Sequence, residues 1–218
     1  MALSPRAALV QHCSRAATQT ILASHFPSPI FTVKVPTMNT TSPPAHIAIM
    51  TVSDRAASGE YEDKGGPGAE SWLRETIISP MQITRVIVPD GREIVAEALR
   101  DLCDNQNADL ILVTGGTGPA PRDLTPEAVS DIAHREYPGF GEEMRRASLL
   151  EVPTAILSRQ TAVSRGKTLI ITIPGKPSAI ATCLNAVFAA VPYCLDLLGA
   201  AWIDTDPTRI KAFRPKAK

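Results

Sequence analysis

The sequence predicts an α/β fold, a three-layer αβα sandwich built on a mostly parallel central sheet. Three observations carry this reading. Short apolar runs such as HIAIMTV (46–52), the stretch 109–114 and KTLIITI (167–173) read as strands buried on both faces. Segments of ten or more residues with helical spacing separate them. Polar loops holding glycine or proline follow the apolar runs, as happens where parallel strands deliver their ends to one rim.

The elements follow in order. Residues 46–52 form the first expected strand. A helix over 67–78 is bracketed by Pro67 at its start, where a missing N–H costs nothing, and by Pro80 beyond its end. Residues 82–89 alternate as a second strand. Over 93–105, Ile94, Ala98 and Leu102 fall on one helical face. A third strand (109–114) leads to a helix over 124–134, and PGFG (138–141) introduces another over 142–150. After the strand 167–173, the turn Pro174-Gly175-Lys176-Pro177 enters a long apolar helix. The run 179–201 is apolar enough to raise the question of a membrane. Asn185, Pro192 and Asp196 interrupt it, so the expectation is a buried helix that bends or restarts at Pro192.

A chain of 218 residues, 44% hydrophobic and 20% charged, fits one domain and something extra. The extra piece is residues 1–45, read as a leader outside the domain proper (46–218). No Asp or Glu precedes Asp54, whereas Arg6, Arg15 and Lys34 are present. That is transit-peptide composition, or else an early start with Met38 as the true initiator, the reading preferred here. Neither reading gives the leader a fold. The formal charge is zero; without the three leader cations, 19 basic residues face 22 acidic ones, a balance near −3. This argues against a basic nucleic-acid-binding face. The four cysteines lack CxxC spacing and the four histidines are scattered, which argues against zinc. A reduced, cytoplasmic setting is expected, with neither nucleic acid nor membrane as partner.

The most informative segment is LVTGGTGPAPRDLT (112–125). A buried strand ending at Thr114 empties into Gly115-Gly116-Thr117-Gly118, and a helix begins near Thr125. Glycines in such a turn let backbone N–H groups face an anion, because no Cβ obstructs the approach. This is neither the Walker pattern nor GxGxxG. Arg122 adds a cation, and Asp123 a carboxylate able to hold a divalent cation. Thr125 can also be read as a simple helix cap. Ser53-Asp54 and Pro89-Asp90-Gly91 follow other strands, and Pro174–Ser178 repeats the glycine turn with Gly175, Lys176 and Ser178. Asp90 is otherwise a plain turn residue. On one rim, Asp90 and Asp123 can coordinate Mg²⁺ on a polyphosphate while Arg122, Arg159 and Lys176 clamp its phosphates. Glu142 and Arg146, at i, i+4, read also as a surface ion pair. Ser158-Arg159 is ambiguous taken alone.

Five segments, VSDRAASGEYEDKG (52–65), TGGTGPAPRDLTPEA (114–128), PGFGEEMR (138–145), VPTAILSRQ (152–160) and IPGKPSAI (173–180), occur in this order. Together they resemble the Mog-type molybdopterin adenylyltransferases of molybdenum-cofactor biosynthesis, related to the gephyrin G domain, over about residues 46–216. The resemblance implies a trimeric α/β protein that uses Mg²⁺ and ATP to adenylylate the terminal phosphate of molybdopterin, releasing pyrophosphate. It implies that Asp123 and Asp90 serve catalysis or metal binding, and that Gly115, Gly116, Thr117 and Gly118 form the nucleotide-phosphate loop. Ser53, Asp54, Glu142 and the turn Pro174–Ser178 match other parts of the family's substrate pocket, and the molybdate-insertion protein is a further expected partner. The stretch 184–188 is shorter than in some Mog-type relatives, which bears only on a surface excursion. The alternative readings are a molybdopterin-binding module without adenylyl transfer, or a scaffold of the same fold. Retention of Asp90, Arg122, Asp123 and Thr125 favours the enzyme.

Overall fold

The computed structural model describes residues 43–216, so residues 1–42, which hold nearly all of the expected leader, lie outside the described residues. The sheet has six strands: β1 (Ala45–Val52), β2 (Met81–Val88), β3 (Leu110–Thr114), β4 (Arg135–Glu136), β5 (Ala162–Arg165) and β6 (Thr168–Ile173). Their order is β2-β1-β3-β6-β5-β4. The pairs β1–β2, β1–β3 and β3–β6 are parallel; β5–β6 and β4–β5 are antiparallel. The expected sheet is therefore present, with an antiparallel edge that the sequence reading did not include. β5 has four residues and β4 two, too few to display a period.

Register fixes the rim. Val52 aligns with Val88, Thr51 with Thr114, and Thr114 with Ile173, so the four parallel strands end at nearly one level. The loops beginning at Ser53, Pro89, Gly115 and Pro174 all leave from that edge. β1, β3 and β6 are almost wholly buried because helices cover both faces.

On one face lie α2 (Gly65–Thr76), α5 (Pro138–Leu149), α6 (Pro177–Val187) and α7 (Val191–Leu198); on the other lie α3 (Arg92–Arg100) and α4 (Thr125–Ile132). A short α1 (Asp54–Ala57) follows β1 directly. In α2 the buried positions Ala69, Trp72, Leu73 and Thr76 repeat at three and four residues. The Trp72 ring meets Phe188 edge-on, 4.8 Å between centroids, and its indole N–H donates to Asn185 at 3.0 Å. This pair locks α2 to the C-terminal helices.

The apolar run Pro177–Leu198 would span a membrane by length and composition alone. Instead Ile180, Cys183, Leu184, Val187, Phe188, Val191 and Leu195 enter the core. The helix breaks into a 3₁₀ turn at Phe188–Ala190 and restarts with Pro192 in the first turn of α7, where its missing N–H is harmless. No surface excursion intervenes between Leu184 and Phe188. The expected 93–105 helix also changes character, ending in a π-helical turn over Asp101–Asn105.

Candidate active site

Two concavities open along the strand-end rim. The first, about 330 Å³, is lined by Ser53, Arg55, Tyr61, Asp63, Lys64, Gly65, Thr114, Gly115 and the Gly175–Pro177 turn, among others. The second, about 500 Å³, is bounded by Thr117 and Gly118, by Ser148, Ser158 and Gln160, and by Pro174, Lys176 and Ser178 at the start of α6. Lys176 lines both. It caps α6, whose first N–H groups have no helical acceptors, and it is exposed. A fixed cation and a helix N-terminus thus stand where the two spaces meet.

The glycine loop owes its shape to contacts that exclude any side chain. Gly115 has φ +102°, and a Cβ there would stand 2.3 Å from the Val52 carbonyl oxygen. Gly116 has φ +61°, and its Cβ would meet the Thr125 hydroxyl at 2.3 Å. That hydroxyl donates to the Gly115 carbonyl at 3.0 Å, so Thr125 ties the loop down and does not act as a helix cap. Gly116, Thr117 and Gly118 donate no backbone N–H to a backbone acceptor among the described residues. These donors suit an anion. Thr114 donates its hydroxyl to the Pro174 carbonyl at 3.0 Å, joining the two glycine turns.

The α2 side is anchored by Asp63, which the sequence reading did not single out. One carboxylate oxygen accepts from the N–H groups of Gly65 (2.9 Å) and Gly66 (3.1 Å), and the other from the Thr51 hydroxyl (2.9 Å). An Asp two residues ahead of a Gly-Gly pair at a helix start is a capping signal that was there to be read. Its lone pairs are largely spent on the fold. Tyr61 and Gln160 also line the concavities without having been anticipated, and neither stands in a pattern that marks it. Arg55 lies 5.3 Å over the Tyr61 ring.

The acidic residues take unexpected partners. Asp90 accepts from the Asp54 N–H, and Asp54 accepts from the Asp90 N–H, both at 3.0 Å, a reciprocal clasp between α1 and the turn after β2. Asp123 sits in its own turn, accepting from the Ala120 N–H at 3.1 Å. Both belong to the rim, but β1 lies between their strands, which at about 4.8 Å per strand sets the strand ends about 10 Å apart. Neither lines the two concavities, and among the described residues no three His, Cys, Asp or Glu side chains cluster to hold a metal. Each still has one carboxylate oxygen without a protein donor among the described residues.

Arg159, expected to clamp phosphate, instead donates to the Gly118 carbonyl at 3.0 Å, to the Asp123 carbonyl and to the Glu127 carboxylate. Arg122 is exposed and carries no ion pair among the described residues. Glu142 is exposed on α5 and lines neither concavity. The ion pair on that helix joins Arg146 to Glu143, at i, i+3, in place of the expected Glu142. Of the anticipated residues, Ser53, Thr114, Gly115, Gly175 and Lys176 line the smaller space; Thr117, Gly118, Ser158, Pro174, Lys176 and Ser178 line the larger. Gly116 and Thr125 support the loop from beneath.

Residues 48–193 match the model of a probable molybdopterin binding domain. The chain belongs to this family of molybdenum-cofactor biosynthesis proteins. It is 48% identical over 171 residues to the molybdopterin adenylyltransferase of Helicobacter pylori, covering 78% of this chain and 97% of that protein. The enzyme of the same name from Escherichia coli is 45% identical over 183 residues, with 78% and 94% covered. Among solved structures, the molybdopterin biosynthesis enzyme MoaB of Thermus thermophilus superimposes with a TM-score of 0.66 at 39% identity, covering 72% of this chain and 99% of its own. The shared fold is thus the expected α/β sandwich, and the match includes every loop of the rim.

Proposed function

We propose that this protein is a molybdopterin adenylyltransferase of molybdenum-cofactor biosynthesis, with ATP and molybdopterin as substrates. The observation that carries the reading is Lys176, the one residue among those described that lines both concavities, set in the second glycine turn at a helix N-terminus. A reaction that joins two phosphorylated molecules needs their phosphates side by side against fixed positive potential. Both spaces have the size of small-molecule sites. In the proposed step an oxygen of molybdopterin's terminal phosphate attacks the α-phosphorus of ATP. A phosphoanhydride bond forms there while the α–β bond breaks, and pyrophosphate leaves. The N–H groups of Thr117 and Gly118 and the Lys176 ammonium oppose the charge that develops, and Gly116, Thr125 and Thr114 keep the loop in place.

Mg²⁺ fits these residues in the manner usual for it, one or two carboxylates with substrate phosphates completing the shell. Because their strand ends stand about 10 Å apart, Asp123 and Asp90 do not share one ion; one of them would hold it through its remaining oxygen, with substrate phosphates completing the shell, and the ion would offset charge on the triphosphate. The assembly is proposed as a homotrimer: Leu150, Ile156 and Leu197, at 81%, 65% and 70% exposure, leave apolar surface for neighbouring copies. A cytoplasmic location and hand-over to the molybdate-insertion protein complete the proposal.

The test is pyrophosphate release from purified protein with ATP, Mg²⁺ and molybdopterin. Asp123→Asn is expected to abolish most release while ATP still binds. Unchanged turnover in that variant removes Asp123 from the mechanism. A folded but inactive unmutated protein favours a binding module.

A further inference from the structure

Arg159 holds the loop carrying Asp123 from outside, through its backbone and its side chain. The Arg159 N–H donates to the Thr117 carbonyl at 2.8 Å, and its Nε to the Gly118 carbonyl at 3.0 Å. Its two terminal nitrogens reach the Asp123 carbonyl and the Glu127 carboxylate in the first turn of α4. The guanidinium therefore spans the turn that begins at Gly118 and ends at Asp123, and ties it to a core helix. Within that turn the fit is close: a Cβ on Gly118 would lie 2.6 Å from the Asp123 carboxylate, which already accepts from Ala120. Any shift of either loop end relocates the carboxylate.

We propose that Arg159 is the positioning residue for Asp123, fixing the carbonyls on both sides of its turn, and is not a ligand of substrate phosphate. The inference rests on the reading of Asp123 as a group that acts on the substrates. Three guanidinium N–H groups have protein acceptors and Glu127 neutralises the charge, whereas Lys176 carries no ion pair among the described residues and lines both concavities. A planar fork can serve three acceptors spread over Gly118, Asp123 and Glu127; a lysine ammonium, with its donors on one atom, cannot.

The experiment compares Arg159→Lys with the unmutated protein by steady-state pyrophosphate release and by hydrogen exchange of backbone amides. A misplacement on the order of 1 Å can cost roughly 100-fold in rate, so kcat is expected to fall ~10- to 100-fold while KM for ATP stays within about twofold. Amides 116–124 are expected to exchange faster, and those of β3 at the unmutated rate. Glu127→Gln keeps the two carbonyl bonds and is expected to show a smaller change of the same kind; it also serves if Arg159→Lys does not fold. A raised KM for ATP with kcat intact, or unaltered exchange over 116–124 in both variants, overturns the proposal. If the unmutated protein releases no pyrophosphate, the transferase reading fails by itself, and the exchange measurement still decides whether Arg159 holds the loop.

Discussion

Replacing Gly115 by alanine should damage both stability and turnover, and by an amount that a distant glycine calibrates. At φ +102° a side chain is strained whatever surrounds it, a cost on the order of 1–3 kcal/mol. The added Cβ would also stand 2.3 Å from the Val52 carbonyl oxygen, where real Cβ contacts essentially never come closer than 3.0 Å. About 0.7 Å must be found by moving the end of β1 or the loop itself, and neither is a flexible side chain. Gly166 supplies the control: its φ is +55°, and a Cβ there meets nothing within 4 Å. Gly166→Ala should therefore cost about 1 kcal/mol and leave turnover intact. Gly115→Ala should cost roughly 2–4 kcal/mol in urea unfolding and reduce pyrophosphate release on the order of 100-fold, since the loop shift moves its N–H groups. If the two alanines prove equivalent in both assays, the tight strand-to-loop contact has no functional weight and the loop is not a phosphate-binding one.

Phe188→Ala removes a fully buried ring stacked edge-on against Trp72 and should lower unfolding free energy by about 3–5 kcal/mol, against less than ~0.5 kcal/mol for Glu97→Ala on the exposed side of α3, both read from urea midpoints. Burial pushes the Cys103 thiol up to about 11, so at pH 8 its iodoacetamide adduct, read by peptide mass, should form only after denaturant is added. The Arg159 guanidinium beside Glu127 holds that carboxyl below its ordinary 4.5. A depressed carboxylate stabilises the folded state above its unfolded value and loses that contribution as pH falls through the lower, folded one. Protection of amides 116–124, taken relative to intrinsic exchange at each pH, should consequently fall in acid, below about pH 4.5, and Glu127→Gln should remove that dependence.

Much of the architecture was legible because it rests on local patterns. β1, β3 and β6 are continuous apolar runs, and Pro192 marked the break in the C-terminal helix. The rim followed from parallel pairing, since strands that share a register end together. The antiparallel edge was not legible: β4 and β5 are too short for periodicity and are defined by pairing with β6 and with each other. In the site, strand-end glycines were readable because φ and close approach demand them. Which partner a charged side chain would choose was not. Asp90 and Asp54 clasp across 36 residues, and Arg159 reaches carbonyls 36 and 41 residues away, distances at which sequence spacing carries no signal. Glu142 misled for the opposite reason: i, i+4 spacing was satisfied on paper, but Arg146 selected Glu143.

The proposed chemistry is tested most directly by following the α-phosphorus. With ATP labelled at that atom, Mg²⁺ and molybdopterin, the label should pass to the pterin with one pyrophosphate released per transfer, and none should move when molybdopterin is omitted. Label that stays on ATP, or that appears as free AMP without a pterin adduct, would contradict adenylyl transfer by this protein.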